Sequence, residues 1–153
     1  MRNELVLFLA LTAAIAVPPR ATQERGPAGP SGSDLPLNLI KLPPGFTIDV
    51  YASGVTNARE MVLGPKGTVF VGSRNKPDGD KVYALVDKNG DQKADRVLVI
   101  AKGLNQPNGV AFHNGSLYVG EISRITRFDN IESRLESPGQ PVVVTDRLPT
   151  HEH

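Results

Sequence analysis

The sequence has no cysteine and no tryptophan, and aromatic residues make up only 5% of its 153 positions. Without cysteine there is no disulfide, no thiolate metal site, no cysteine nucleophile and no lipid-modified cysteine anchor. The sequence also lacks an excess of charge of either sign, because its 17 basic and 16 acidic residues leave a net charge of +1. Modules that bind nucleic acid usually carry a basic face or run, so no nucleic-acid partner is predicted.

The first residues have the pattern of a secretory signal peptide. Arg2 supplies the positive start, an apolar run follows from Leu5 to Val17, and Ala14-Ile15-Ala16 provides a small-x-small cleavage pattern. An uncleaved membrane anchor is the alternative, but the run is shorter than the ~20 apolar residues that span a bilayer. We therefore predict a signal peptide over residues 1–16, a periplasmic or secreted location, and no membrane association after cleavage.

Residues 17–36 are rich in proline, glycine, serine and charge, without hydrophobic periodicity. Such a composition is typical of a disordered linker. The two collagen-like triplets within it are too few for a triple helix, which needs a sustained repeat. The folded domain is therefore predicted over residues 37–153.

In this domain, short apolar runs of strand length are separated by turn signals such as Asn89-Gly90 and Asn114-Gly115. This pattern predicts an all-β fold with one short helix around Ile131–Leu135. The predicted strands are Phe46–Tyr51, Thr68–Val71, Val82–Val86, Val97–Ala101, Val110–Phe112, Leu117–Val119 and Val142–Val144.

An internal repeat indicates the architecture. The segment Val62–Gly72 aligns without a gap on Val110–Gly120, and Gly54-Val55 matches Gly103-Leu104. A period in the forties with about four strands per unit is typical of β-propeller blades. A β-sandwich would explain the strands but not the self-alignment. We predict about two four-stranded blades plus a lead-in strand, an incomplete part of a propeller, because about four to eight blades are needed to close one.

The loops that lead into the first strand of each unit are the predicted functional region, since they converge on the axis of a propeller. His151 and His153 lie in the third such loop and are candidates for a base near neutral pH. A solvated loop and a zinc-binding His-x-His pair are the alternatives. In the first loop, Arg59 is a candidate to bind an anionic cofactor, or else pairs with the neighbouring Glu60.

A run of oxygen-bearing side chains resembles a calcium-binding loop. It departs from the EF-hand pattern because Gln92 replaces the glycine at position 6 and Leu98 replaces the glutamate at position 12. A hairpin turn rich in Asp and Asn would use the same residues, so a weak Ca²⁺ site and a plain turn both stay open. The candidate ligands are Asp87, Asn89, Asp91 and Asp95.

Several stretches, in order and spacing, resemble the start of the sorbosone dehydrogenase family, which is related to the soluble quinoprotein glucose dehydrogenases. The resemblance covers nearly all of Leu39–His153. The stretches that carry it are Leu42–Phe46, Ala58–Met61, Gly64–Thr68, Val71–Arg74, Asp87–Asp91, Gly103–Phe112 and Leu148–His153.

The resemblance implies an exported six-bladed propeller that binds pyrroloquinoline quinone and Ca²⁺ and oxidises a sugar or aldose. It implies that His153, or else His151, is the base that assists hydride transfer to the quinone, with an external electron acceptor. It also implies that Gln106 and Asn108 contact the cofactor. A Ca²⁺-dependent lactonase and a non-catalytic propeller that binds carbohydrate or protein are the alternative functions. Residues 17–153 alone are predicted to be inactive.

Overall fold

The structure is a computed structural model that describes residues 35–75 and 77–150. The predicted signal peptide, nearly all of the predicted linker, and both His151 and His153 lie outside the described residues. The described chain is all-β, as predicted, with two short 3₁₀ helices, Leu37–Leu39 and Ile131–Ser133. Its strands are β1 (Ala58–Leu63), β2 (Val69–Ser73), β3 (Val82–Val86), β4 (Arg96–Ala101), β5 (Gly109–His113), β6 (Ser116–Gly120), β7 (Ile125–Phe128) and β8 (Val142–Thr145).

The strands form two four-stranded antiparallel sheets, each in simple sequential order. Sheet 1 has the order β1-β2-β3-β4 and sheet 2 the order β5-β6-β7-β8. The first strand of sheet 2 lies against β1 and β2 of sheet 1, so the sheets stack face to face. This arrangement is propeller-like and agrees with two units of about four strands.

Strand pairing corrects the gapless alignment of the two units. Met61 pairs with Val71 in sheet 1, whereas Val110 pairs with Val119 in sheet 2. Val71 and Val119 are 48 residues apart, but Met61 and Val110 are 49 apart. The extra residue lies in the connection Gly64–Thr68, because the other sheet makes this connection with a two-residue turn. The gapless alignment was therefore wrong for the first strand of each unit, because it equated Val62 with Val110 where the pairing equates Met61 with Val110. Met61 and Val62 are both apolar, so the sequence pattern did not distinguish them.

The main core lies between the sheets and is built from alternate residues of each strand. Phe70 and Leu117 are fully buried, and the rings of Phe70 and Phe112 stack with their centroids 5.8 Å apart. Antiparallel strands place alternate side chains on one face, which explains how each sheet supplies one apolar face. The buried residues of this core are Phe70, Val82, Ala84, Leu98, Ile100, Val110, Leu117, Val119, Phe128 and Ile131.

Three local predictions differ from the structure. Phe46–Tyr51 is not paired in a sheet, although Ala94 N–H donates to Tyr51 O at 2.7 Å. Strands β1 and β7 were not among the predicted strands, because charged or polar residues interrupt their apolar patterns. The helix predicted around Ile131–Leu135 is a single 3₁₀ turn. Within the part of the chain that the structure describes, no helix is long and apolar enough to cross a membrane.

Candidate functional site

The candidate site lies at the end of the two sheets where strands β2, β4, β6 and β8 finish. The segment Lys102–Asn108, here called the linking loop, joins sheet 1 to sheet 2 at this end. The connections between the second and third strands of both sheets lie beside it. We call this region the linking-loop end.

Sheet 1 holds the linking loop through backbone and side-chain hydrogen bonds. Asp80 Oδ2 accepts from Gly103 N–H at 3.1 Å, and its carbonyl oxygen accepts from Leu104 N–H at 3.0 Å. Ser73 N–H donates to Pro107 O at 3.1 Å. These bonds fix both ends of the loop to one rigid sheet.

Sheet 2 holds the middle of the loop through a buried carboxylate. The side chain of Glu121 is 0% exposed, and its Oε2 accepts from Asn105 N–H at 2.7 Å. Arg124 donates to the same carboxylate from Nε at 2.5 Å and from Nη2 at 3.1 Å. Hydrogen bonding to Glu121 raises the pKa of Arg124 above its ordinary value. Ile122 N–H completes the attachment by donating to Asn105 O at 3.2 Å.

Lys81, in the neighbouring loop of sheet 1, also belongs to an ion pair. Its Nζ lies 3.3 Å from Asp80 Oδ1 and 3.9 Å from Asp78 Oδ1. Burial lowers the pKa of Lys81, but hydrogen bonding and attraction from Asp80 outweigh burial, and the pKa is raised. Asp80 therefore both anchors the linking loop and retains a charged partner.

The loop that precedes β1 has the same backbone conformation as the linking loop. Gly54 and Gly103 have φ values of 76° and 73°, and Asn57 and Gln106 have φ values of 54° and 52°. Such left-handed conformations are uncommon for residues other than glycine, so their recurrence at a spacing of 49 residues identifies the loops as structural equivalents. Arg74 N–H donates to Asn57 O at 3.1 Å and ties this first loop to the same region.

Two of the predicted cofactor-binding residues lie together in the linking loop. Gln106 Oε1 accepts from Arg74 Nε at 3.3 Å. Asn108 Oδ1 is buried and meets no hydrogen-bond donor among the described residues, an uncommon condition for a buried polar atom. Arg59 is exposed near the start of β1, and no ion pair joins it to Glu60 in the described part of the chain. This end therefore gathers guanidinium and amide groups suited to an anionic or hydroxylated small molecule.

A glycine makes the close approach of sheet 1 to the linking loop possible. A methyl group at Gly72 would lie 2.5 Å from the carbonyl oxygen of Asn108 and closer still to that of Pro107. At the equivalent position in sheet 2, a methyl group at Gly120 would meet Gly109 Cα at an ordinary 3.8 Å. The two glycines are therefore equivalent in the repeat, but only at Gly72 does the absence of a side chain allow a close backbone approach.

The structure adds Arg74, Glu121 and Asp80 to the predicted set. Sequence reasoning missed Glu121 because its repeat equivalent is Ser73, whose hydroxyl instead donates to Lys81 O at 2.6 Å. A polar residue directly after the glycine near the end of β2 and of β6 was the one available signal. The predicted bases His151 and His153 lie outside the described residues. Shortly before them in the chain, Leu148 N–H donates to Ser123 O at 3.2 Å.

The candidate calcium ligands lie at the opposite end of sheet 1, in the turn between β3 and β4. Asp87 accepts from Gly90 N–H at 2.8 Å and from Gln92 N–H at 2.9 Å, and Asp95 accepts from Lys88 N–H at 2.7 Å. The oxygens of Asn89 and Asp91 accept from other amides of the same loop. Over residues 35–75 and 77–150, no group of three or more His, Cys, Asp or Glu side chains is placed to hold a metal ion.

Comparison with known proteins identifies a family. An uncharacterized protein of Borreliella burgdorferi is 23% identical over 99 residues, which are 64% of this chain and 24% of that protein. The chain thus spans about a quarter of the length of the curated relative. No solved structure matches this chain. Residues 33–130 match the family described as a domain of unknown function, DUF7133. Because the match covers most of the sequence, the chain belongs to the DUF7133 family.

Proposed function

We propose that this chain is the N-terminal part of an exported six-bladed propeller that oxidises a sugar or aldose with pyrroloquinoline quinone. The observation that carries the proposal is the clustering of Arg74, Gln106 and Asn108 at the linking-loop end. A loop held from both sheets keeps these polar groups in a fixed arrangement, which a specific small-molecule site requires. The resemblance to the sorbosone dehydrogenases supports the choice of reaction.

The residues at the linking-loop end fit a quinone that carries carboxylate groups. Arg74 and Arg59 provide guanidinium groups, which match carboxylates in bidentate geometry. Asn108, with its buried and unpartnered oxygen, and Gln106 provide amide groups. When bound, the quinone would accept hydride from the substrate, while the protein supplies binding and orientation.

The described residues do not fit a calcium ion at this end. Among the described residues, no group of three or more His, Cys, Asp or Glu side chains is placed to hold a metal ion, and Asp80 and Glu121 are already bonded to the linking loop and to basic partners. The Asp87–Asp95 turn is at the other end of the sheet and uses its carboxylates internally. No step of the proposed reaction is therefore assigned to calcium bound by these residues.

Proton transfer in the proposed reaction belongs to His153, with His151 as its alternative. An imidazole is the side chain whose ordinary pKa lies nearest neutral pH, so it can accept the proton of a substrate hydroxyl while hydride leaves the adjacent carbon. The rest of the chain then serves to bind and orient the substrate.

The test uses the full-length protein, pyrroloquinoline quinone, Ca²⁺ and a panel of aldoses, with reduction of a dye as the readout. We expect quinone-dependent turnover. We also expect Arg74→Gln to raise the half-saturating quinone concentration by about tenfold, since a hydrogen bond to a charged group contributes ~1.5–3 kcal/mol. Lys102→Gln is the matched control, because Lys102 is an exposed cation at the same end.

Failure of every aldose to reduce the dye would overturn the dehydrogenase proposal. Calcium-dependent lactone hydrolysis in the same preparation would support a hydrolase instead. Saturable carbohydrate binding without turnover would support a binding module. An equal effect of Arg74→Gln and Lys102→Gln would contradict the specific role given to Arg74 in binding the quinone.

A further inference from the structure

Asn89, Asn108 and Asn114 each stand directly before a glycine. An asparagine in this position is chemically labile, because the amide nitrogen of the glycine can attack the side-chain carbonyl carbon and glycine carries no side chain to hinder it. The reaction needs a backbone that can rotate and a glycine N–H that is not held elsewhere. The folded structure therefore decides which of the three asparagines can react.

Hydrogen bonds hold both reacting groups of Asn89 and Gly90 in the turn between β3 and β4. Gly90 N–H donates to Asp87 Oδ1 at 2.8 Å. Asn89 Oδ1 accepts from Asp91 N–H at 3.0 Å, and Asn89 Nδ2 donates to Asp91 Oδ2 at 3.1 Å. The nucleophile and the side-chain amide are both engaged, so this turn protects Asn89.

Backbone packing protects Asn108 and Gly109 at the end of the linking loop. Asn108 N–H donates to Gln106 O at 2.7 Å, and Gly109 pairs with Gly120 at the start of β5. The carbonyl oxygen of Asn108 lies so close to Gly72 that a methyl group there would approach it to 2.5 Å. Attack by the Gly109 nitrogen requires rotation of this carbonyl group, which sheet 1 opposes.

Asn114 and Gly115 form the exposed tip of the β5-β6 hairpin. They alone connect the strands, because His113 pairs with Ser116. Their φ values are 46° and 79°, as a two-residue Asn-Gly hairpin turn requires. Over residues 35–75 and 77–150, no hydrogen bond restrains the Asn114 side chain or the N–H of Gly115. A hairpin tip of this kind opens locally at little cost in free energy.

We propose that Asn114 is a site of spontaneous deamidation and backbone isomerisation in the folded protein. The Gly115 nitrogen bonds to Asn114 Cγ, the Cγ–Nδ2 bond breaks, and ammonia leaves with the proton of the Gly115 N–H. The product is a five-membered succinimide ring. Water then cleaves the ring on one side of the Gly115 nitrogen to give aspartate, or on the other side to give isoaspartate. Water is the only co-reactant, and nothing is oxidised or reduced.

Isoaspartate at this position alters the hairpin, because it adds the Cβ atom of residue 114 to the main chain of a two-residue turn. The turn is attached to the core, since Gly115 O accepts from the N–H of the fully buried Ile131 at 3.3 Å. Ser116 Oγ also donates to Asp129 Oδ1 at 2.9 Å. We expect the modification to loosen both attachments. The inference does not depend on the proposed catalytic activity.

The test incubates the full-length protein in mildly alkaline buffer and maps deamidation at the three asparagines by mass spectrometry, with and without urea. In the folded protein we expect Asn114 to react on the order of tenfold faster than Asn89 and Asn108, because only its turn opens readily. In urea the three rates should be similar. Equal rates in the folded protein, or no reaction at Asn114, would overturn the proposal.

Two variants separate the parts of the argument. Asp87→Ala removes the acceptor of Gly90 N–H, so it should speed the reaction at Asn89 and leave Asn114 unchanged. An unchanged rate at Asn89 would contradict the protection on which the proposal rests.

Asn114→Gly keeps a turn that accepts positive φ but removes the reacting amide. After incubation, hydrogen exchange at residues 129–133 should be faster in the unaltered protein and unchanged in this variant. Equal acceleration in both proteins would contradict the assignment to Asn114.

Discussion

The backbone amide of Asn105 and the buried carboxylate of Glu121 lie 2.7 Å apart and join the linking loop to sheet 2. The same carboxylate receives two hydrogen bonds from Arg124. One charged side chain therefore fixes the loop that carries Gln106 and Asn108. Because this carboxylate is shielded from water, its bonds are not readily replaced by bonds to solvent.

Replacing Glu121 by glutamine is expected to lower the free energy of unfolding by about 1–3 kcal/mol, since a buried donor loses its partner or its charge complement. Urea unfolding of the full-length protein measures this change. Glu136→Gln is the control, because Glu136 is 57% exposed in its pair with Arg96 and exposed pairs contribute little. Equal stabilities of the two variants would contradict the role given to Glu121.

Adding one methyl group at Gly72 is expected to push sheet 1 away from the linking loop. The methyl would overlap backbone oxygens of Pro107 and Asn108, and such overpacking costs about 1–3 kcal/mol. Faster hydrogen exchange at residues 105–108 should accompany the loss. Gly120→Ala is the matched control and should leave both quantities unchanged, and a loss of similar size in both variants would refute the prediction.

Truncation of Phe70 tests the core between the sheets. Phe70 is fully buried and stacks on Phe112, so Phe70→Ala should cost about 3–5 kcal/mol through lost packing and an internal cavity. Thermal and urea unfolding report the loss. His113→Ala, at the exposed last residue of β5, should change stability little. A small effect at Phe70 would mean that the two sheets do not pack as described.

Asp129 should make stability depend on pH in the acid range. The hydrogen bond from Arg127, with a second from Ser116, holds the pKa of Asp129 below its ordinary value. A carboxylate with a lowered pKa stabilises the fold above its unfolded-state pKa, and the contribution is lost as pH falls through the folded-state pKa. Stability should therefore fall below about pH 4.

The variant Asp129→Asn removes this titration. It should unfold at a lower urea concentration than the unaltered protein at pH 7, and the difference should disappear near pH 2. Urea midpoints measured across that range test the sign. A difference that grows on acidification would show that Asp129 is destabilising when charged.

The turn between β3 and β4 provides a test of the calcium alternative. Asp87 already accepts from two backbone amides, so Asp87→Asn should lower stability by about 1 kcal/mol whether or not calcium is present. Thermal unfolding with Ca²⁺ and with a chelator measures both effects. A calcium-dependent rise in melting temperature that the variant abolishes would assign the ion to this turn.

Much of the fold follows from local sequence pattern. Strands β3 and β4 were predicted to within one residue, because their apolar runs are bounded by turn residues. The repeat correctly indicated two four-stranded units. Strand β7 escaped prediction because Thr126 and Arg127 carry polar groups in a strand, and Thr126 is nevertheless 1% exposed.

The candidate site was predictable only in part. The loops that lead into β1 and β5 were identified from the repeat, and Gln106 and Asn108 do lie in the linking loop. The partners of that loop were not identifiable, because Arg74, Asp80 and Glu121 reach it from distant positions in the chain. Contacts between residues far apart in the chain cannot be predicted from the sequence unless a repeat or a periodic pattern relates the two positions.

By itself, the sequence determined the β-strands and their grouping into repeats, since alternation and turn residues act over a few positions. Only the tertiary structure decided that Asn105 and Glu121 meet. The packing of the sheets buries the Glu121 carboxylate beside the linking loop, and no local pattern predicts that contact. The tertiary structure also decided that Met61, and not its neighbour Val62, is the equivalent of Val110. Pairing across a sheet selects which of two adjacent apolar residues lies on a given face.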